Sequence, residues 1–437
     1  MCGIIITKDF DKINMIKHRG IETFTLKIGK YNVCHHRLPI QTEVGDVWMQ
    51  PIQLRCGDKY LLFNGEIFNF DKSKYNSDVE YLFDLFNNSN NFPLEEMNKW
   101  DGFWSIVLVK GSEMYCVTDP LGKKQLYYNK EGEICSEIFP LRNNSTLDKL
   151  FESGVFKWGY NTNDRTPFND VKRILPNRLY HFKNGEVKSI SSEYFNWETK
   201  FNKWDLRELM HKSVMDRLVS KTYEIGCLVS GGLDSSIIAA MLSKGNCNVN
   251  YYSVENGEKD YVEELRKNLG IKVNYLNYNI DDDIIESFRF NETPIDLGSV
   301  LPQHKLFSVI PEKIVLSGDG ADELFGGYRR MAEYDAQYSD IFEELTYYHL
   351  PRLDRASMRY TIELRNPFLS HDIVRLALTL PYTDRIDKKF LKYTFKDLVG
   401  TEIAYRKKVA LKNSQLVTDP ITYKHKVFYT FYNIILR

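Results

Sequence analysis

Ile225-Gly226-Cys227-Leu228-Val229-Ser230-Gly231-Gly232-Leu233-Asp234-Ser235-Ser236, followed by Ile237 to Leu242, decides how the second half of this 437-residue chain folds. The apolar run Ile225 to Val229 predicts a strand buried on both faces. A Gly-rich turn follows, and Ser235 to Leu242 predicts a helix. Strand, tight loop and helix in that order is the repeating unit of a doubly wound parallel sheet. Glycines let backbone N–H groups close around phosphate oxygens, the helix N-terminus adds partial positive charge, and the serine hydroxyls add donors. Asp234 lies where a magnesium ion bound to phosphates needs a carboxylate. No Lys follows the glycines, so this is not the GxxxxGK[ST] loop that handles a γ-phosphate.

Outward from that loop the alternation continues. Val249 to Val254, Ile271 to Leu276 and Lys313 to Leu316 predict further strands, Leu206 to Val219 and Tyr261 to Leu269 predict helices, and from Phe342 the pattern is mostly helical. A second loop, Ser317-Gly318-Asp319-Gly320-Ala321-Asp322-Glu323-Leu324-Phe325-Gly326-Gly327-Tyr328, also follows an apolar strand. Its three carboxylates lie between glycines; one suits a metal ion beside Asp234 and another a base. Late in the chain, Tyr405-Arg406-Lys407-Lys408 offers cations for charge developing on phosphates.

The first half reads differently. Tyr60 to Phe63 predicts a strand ending at Asn64-Gly65, and Phe103 to Lys110, Met114 to Thr118 and Leu126 to Tyr128 predict three more. Ser77 to Phe86 predicts a capped helix with Val79, Leu82, Phe83 and Phe86 on one face. Lys183-Asn184-Gly185-Glu186 predicts a hairpin turn. This α+β pattern gives way near Phe195 to Lys203, so two domains are expected, 1–195 and 196–437.

Composition narrows the function. Lys plus Arg number 58 and Asp plus Glu 59, so bulk attraction to nucleic acid is not expected. No apolar run is long enough to span a bilayer, and the start lacks the pattern of a signal peptide. The seven cysteines are scattered without a CxxC pair, which predicts reduced thiols in a cytoplasmic protein and no structural zinc; His35-His36 reads as structural. Cys2 becomes the first residue if Met1 is removed, and its α-amino group can then take the thiol proton. A thiol attacking a carbonyl needs oxyanion donors, which Asn64 and Gly65 can supply.

Together these residues resemble glutamine-hydrolysing asparagine synthetases. Cys2-Gly3-Ile4, His36-Arg37-Leu38-Pro39-Ile40, Asn64-Gly65-Glu66-Ile67-Phe68-Asn69, Ser77-Asp78-Val79-Glu80 and Asp119-Pro120-Leu121-Gly122 follow the family's order in the first half. Leu353 to Met358 and Glu363 to Leu369 match two later segments. The resemblance implies an α+β N-terminal nucleophile hydrolase domain, an αββα sandwich of the class II glutamine amidotransferase type. It implies next an α/β pyrophosphate-loop ATPase domain with a doubly wound parallel sheet, of the adenine nucleotide alpha hydrolase kind.

The resemblance also implies roles. Cys2 would be the nucleophile, Asn64 and Gly65 the oxyanion donors, and Arg37, Glu66 and Asp78 the glutamine-binding residues with them. Val229, Ser230, Gly231, Gly232, Asp234, Ser235, Ser236, Val254, Ser317 and Gly318 would contact ATP. Asp234 and Asp322 would hold Mg2+, Asp319 would assist attack by ammonia, and Lys408 would contact phosphate. The implied substrates are glutamine, aspartate and ATP, and a homodimer is expected. Thr118 stands where the family has Arg, Gln125 where it has Pro, the chain between Asn69 and Ser77 is short, and Val409-Ala410-Leu411-Lys412 departs from the usual pattern. These departures keep open the amidation of a different carboxylate; ring closure of the β-lactam synthetase kind is a further alternative, against which Cys2 with its glutamine-site residues argues.

Overall fold

The computed structural model describes residues 2–143, 146–198, 202, 205–254, 259–277, 284–294, 297–328, 342–406 and 431. Two six-stranded sheets form the first half. One runs Val171–Arg173, Tyr127–Asn129, Ile134–Cys135, Cys2–Thr7, Tyr31–Arg37, Glu22–Ile28; the other runs Glu186–Ile190, Leu179–Lys183, Glu113–Thr118, Gly102–Lys110, Lys59–Ile67, Ile52–Gln53. Their pairings are antiparallel.

Strand alternation sorts the side chains into layers. Ile4, Ile6, Val33, Leu62, Val107 and Val109 fill the space between the sheets. Ile5 faces the other way, onto Ile13 and Ile16 of the short helix Phe10–Arg19. On the far side, Phe63 and Ile106 meet Val79, Leu82 and Phe86 of the helix Asp78–Asn88, the stripe expected from its sequence. Ser77 caps that helix, its Oγ accepting from Glu80 N at 3.2 Å. Ser77→Ala should cost about 1 kcal/mol, readable as a drop in the denaturant midpoint with no change in slope.

The second half holds a five-stranded sheet in the order Val273–Leu276, Asn250–Val254, Ile225–Leu228, Ile314–Leu316, Glu363–Arg365, parallel throughout. Ile314 and Leu316 pack on one face with Ile237, Ile238 and Leu242 of the helix Leu233–Lys244. Val315 packs on the other with Leu306, Phe307 and Leu353. Both faces are covered, as a doubly wound sheet requires. The strand order reverses between Ile225–Leu228 and Ile314–Leu316, so the two Gly-rich loops leave adjacent carboxyl ends, the usual ligand crevice of such sheets.

Three local expectations are revised. Asn64 and Gly65 lie inside the strand Lys59–Ile67 rather than after it, paired with Ser105 and Trp104. Leu206–Asp216 stops short of Val219, because the Arg217 and Val219 carbonyls accept from Arg365 Nη1 at 2.5 and 2.7 Å instead of extending the helix. The edge strand Glu363–Arg365 sits in a stretch expected to be helical; its two charged side chains are fully buried.

Buried polar contacts join the halves. Arg19 Nη2 lies 2.7 Å from Asp354, which Lys124 also pairs with, and Arg217 lies 3.1 Å from Asp101. Burial pushes the Asp354 carboxyl up, but Lys124 and Arg19 outweigh it and hold the group well below the usual carboxylate range. Lys123 Nζ donates to Leu364 O at 2.6 Å and to Asn366 Oδ1 at 2.7 Å.

Candidate active sites

Antiparallel pairing sets Cys2 directly opposite Arg37. The Cys2 nitrogen donates to Asn64 Oδ1 at 2.9 Å. That bond fixes which end of the Asn64 amide is oxygen, and leaves its buried Nδ2 without a partner. A buried N–H donor with nothing to bind, beside a cysteine at a strand start, is what an oxyanion site needs before substrate arrives. Gly65 has φ +157, and a Cβ there would stand 2.0 Å from Phe103 O. Gly65→Ala should therefore destabilise the protein by about 3 kcal/mol or more and remove glutamine hydrolysis, measurable by urea unfolding and glutamate release.

Asp78, the first residue of its helix, turns Oδ2 to Ile67 N at 3.1 Å. Burial lifts its pKa to about 7. Glu66 Oε2 accepts from Gln41 Nε2 at 2.7 Å, and burial with Glu363 and Asp78 close by pushes its carboxyl well above the ordinary value. Arg37 is more heavily engaged than its sequence suggests. Its Nη2 donates to Asp46 Oδ1 at 2.7 Å, to Glu43 O at 3.2 Å and to Thr42 Oγ1, and Glu22 lies 3.3 Å from its Nη1. His35 and His36 hold main-chain oxygens of Phe63 and Ile13 at 3.0 and 2.8 Å, a structural use.

The second site lies where the two Gly-rich loops meet. The helix Leu233–Lys244 begins after Gly232 with no side chain capping it, so its first amides face the loop. Gly231 takes φ +67, and its carbonyl accepts from Arg406 Nη1 at 2.9 Å. The hydroxyls of Ser230 and Ser235 lie 3.1 Å apart, while Ser236 is buried one residue on. Gly318 is pressed against Asp234; a Cβ there would lie 2.8 Å from Asp234 Cβ. Ser317 Oγ donates to Asp319 Oδ2 at 2.6 Å, and burial raises the Asp319 pKa. Asp234 and Asp322 converge on one cation, Lys388 Nζ, at 2.5 and 2.6 Å. Two carboxylates that reach the same point fit a divalent ion completed by phosphate oxygens and water. Val229 is buried at the strand end, its N–H bonded to Tyr252 O at 2.7 Å, and Val254 closes the neighbouring strand. Lys408 lies outside the described residues.

Between the sites runs the strand Glu363–Arg365. Arg365 Nε donates to Glu363 at 2.5 Å, and its Nη2 lies 3.6 Å from Glu66 Oε2. One residue on, Asn366 Nδ2 donates to Ser317 Oγ at 2.9 Å. Arg365 and Asn366 belong to the segment Glu363 to Leu369 that the resemblance includes, without a role assigned to either; Lys388 has no signal in the sequence. Nothing in the Asp387-Lys388-Lys389 triplet distinguishes it from a solvated charge cluster.

A family profile described as glutamine amidotransferase domain matches residues 1–195, and one described as asparagine synthase matches residues 205–346 and 331–422. The chain is thus, in class, an amidotransferase domain joined to a synthetase domain. Asparagine synthetases [glutamine-hydrolyzing] of Gallus gallus and Homo sapiens are each 26% identical to it, over 91% of this chain and 80% of theirs. A putative asparagine synthetase [glutamine-hydrolyzing] of Methanocaldococcus jannaschii is 26% identical over 87% of this chain and 81% of its own. The chain belongs to the glutamine-hydrolysing asparagine synthetase family. The solved structure of the allosteric regulatory enzyme of purine biosynthesis overlaps 84% of this chain and 80% of its own at 12% identity, with a TM-score of 0.33.

Proposed function

We propose that this protein makes asparagine from aspartate and glutamine using ATP, and releases glutamate, AMP and pyrophosphate. The observation that carries this reading is the pairing, on one chain, of a Cys2 nitrogen held by Asn64 with two aspartates that meet at one point beside a Gly-rich loop.

In the first half, Cys2 Sγ attacks the side-chain amide carbon of glutamine. The amine of Cys2, freed by loss of Met1 and held by Asn64 Oδ1, takes the thiol proton and passes it to the leaving nitrogen. Asn64 Nδ2 and the Gly65 N–H stabilise the oxyanion. The C–N bond breaks, ammonia leaves, and water hydrolyses the thioester to glutamate. Arg37 receives the glutamine carboxylate once Asp46 gives way, and Asp78 receives the ammonium, with Glu66 alongside.

In the second half, the aspartate side-chain carboxylate attacks the α-phosphorus and pyrophosphate departs. Ser230, Gly231, Gly232, Ser235, Ser236 and the helix N-terminus hold the phosphates; Val229 and Val254 line the adenosine side, and Ser317 and Gly318 make a further ATP contact. A magnesium ion, for which Asp234 and Asp322 are the protein ligands, would supply neutralisation of the leaving charge. Ammonia then attacks the acyl carbon, AMP leaves, and Asp319 accepts the surplus proton. Lys408 is taken as a further phosphate contact. A cytoplasmic setting accords with the seven cysteines, none of which is in a disulfide, and a homodimer belongs to the same reading. Among the described residues no helix is long and apolar enough to cross a membrane.

The test is product identification: with glutamine, ATP and magnesium, aspartate should yield asparagine and AMP in equal amounts. AMP formed only with another carboxylate would overturn the substrate assignment. A pH dependence also follows. Burial raises Asp78 to about 7, so in the free enzyme the carboxylate that pairs with glutamine's ammonium forms as pH rises through that value. The glutaminase kcat/KM should climb from about pH 6 to about pH 8, and Asp78→Asn should flatten that limb and raise KM. The same shift makes Asp78 a growing burden on folding as pH rises from about 4, because the unfolded carboxyl ionises first.

A further inference from the structure

Lys388 stands where a second-half metal ion is expected. Its Nζ lies 2.5 Å from Asp234 Oδ2 and 2.6 Å from Asp322 Oδ1, and the residue is buried. The chain goes to some length to deliver it. Asp387 and Lys388 are consecutive non-glycine residues at φ +54, a conformation that L side chains rarely adopt. Their N–H groups are pinned to Gly326 O and Phe325 O at 2.9 and 3.0 Å. The partner segment is cleared to admit them. Gly326 takes φ +64 and a Cβ there would stand 2.9 Å from Arg385 O; at Gly327 a Cβ would lie 2.4 Å from Lys388 Cε and 2.0 Å from Asp322 Oδ1. Strained backbone on one side and two glycines on the other fix one ammonium between two carboxylates.

Two carboxylates drawn together inside a protein repel unless a cation lies between them. We infer that Lys388 is the built-in counter-cation of the nucleotide-free site: it keeps Asp234 and Asp322 converged, bars free divalent metal, and yields them only to metal that arrives bound to ATP. Metal entry alone must displace a tethered ammonium and leave it beside the metal with no new anion to face. Metal arriving with a polyphosphate gives the displaced ammonium new oxygens to face. The consequence is an order of binding, in which the metal enters with its nucleotide rather than before it. This inference rests on the reading of Asp234 and Asp322 as the metal-holding pair.

The experiment is a Mn2+ titration followed by electron paramagnetic resonance, with and without a non-hydrolysable ATP analogue. Wild-type protein should bind Mn2+ with the analogue and only weakly without it. Lys388→Met should bind Mn2+ without nucleotide about tenfold tighter or more, while Lys389→Met, a change at the exposed neighbour, should behave as wild type. Thermal melting checks that each variant is folded. If Lys388→Met does not fold, the wild-type comparison still decides: equal Mn2+ affinity with and without the analogue overturns the inference. So does a folded Lys388→Met that gains no affinity. Asp234→Asn separates the two levels. If it loses Mn2+–analogue binding while Lys388→Met gains nothing, only the inference fails; if it binds the complex like wild type, the metal reading fails and the inference with it.

Discussion

Cys2→Ala should lose asparagine synthesis from glutamine by about 10^4-fold or more, yet retain synthesis from an added ammonium salt. The reason lies in where the residue sits. Cys2 begins a strand, opposite Arg37, with its nitrogen on Asn64. Removing Sγ deletes the atom that the proposed mechanism uses to form the thioester but disturbs neither the strand pairing nor the second-half loops. Glutamate release and asparagine formation, each measured with glutamine and then with ammonium, read the two activities apart. If both nitrogen sources fail in a folded Cys2→Ala protein, the two chemistries are not housed separately and the reading collapses.

Asp234→Asn has the opposite signature. The substitution keeps shape and removes one of the two charges that meet at Lys388. Losing charge neutralisation at the departing pyrophosphate should cost about 4 kcal/mol, on the order of 10^3-fold in adenylation. ATP–pyrophosphate exchange and AMP release should fall together, with either nitrogen source, while glutamine hydrolysis persists. Full exchange in the variant would show that Asp234 holds no metal.

The parts of this molecule that were legible in its sequence are those in which local chemistry dictates local geometry. Ser230 to Ser236 could be read because glycines, hydroxyls and a carboxylate at that spacing, between an apolar strand and a helix, have few other uses. The helix from Asp78 could be read from its cap and its apolar stripe. Asn64-Gly65 misled about position: the pair looks like a strand end, and only the close approach of Phe103 O explains a glycine in mid-strand. Glu363-Leu364-Arg365 stands in a segment that the resemblance includes, but its buried strand was not legible, because alternating charge suggests a surface; its burial depends on Glu66, and on the Arg217 and Val219 carbonyls, all distant in the chain. Lys388 was unreadable because its placement depends on a left-handed backbone that no glycine announces. Arg37 was named from the resemblance, but its partner Asp46 sits in a loop whose path no periodicity encodes.

Asp354 has a consequence for how such a protein can be divided. Its two cations, Arg19 and Lys124, both come from the opposite half of the polypeptide, so each half is the other's solvent. A fragment severed after residue 195 opens that aspartate to water and bares the apolar surface that Leu38, Ile40, Phe68 and Phe103 cover, and should come out of the cell insoluble. A lineage fed wholly by ammonia can therefore discard the sulfur at Cys2 at once, but must keep the folded body that carries it.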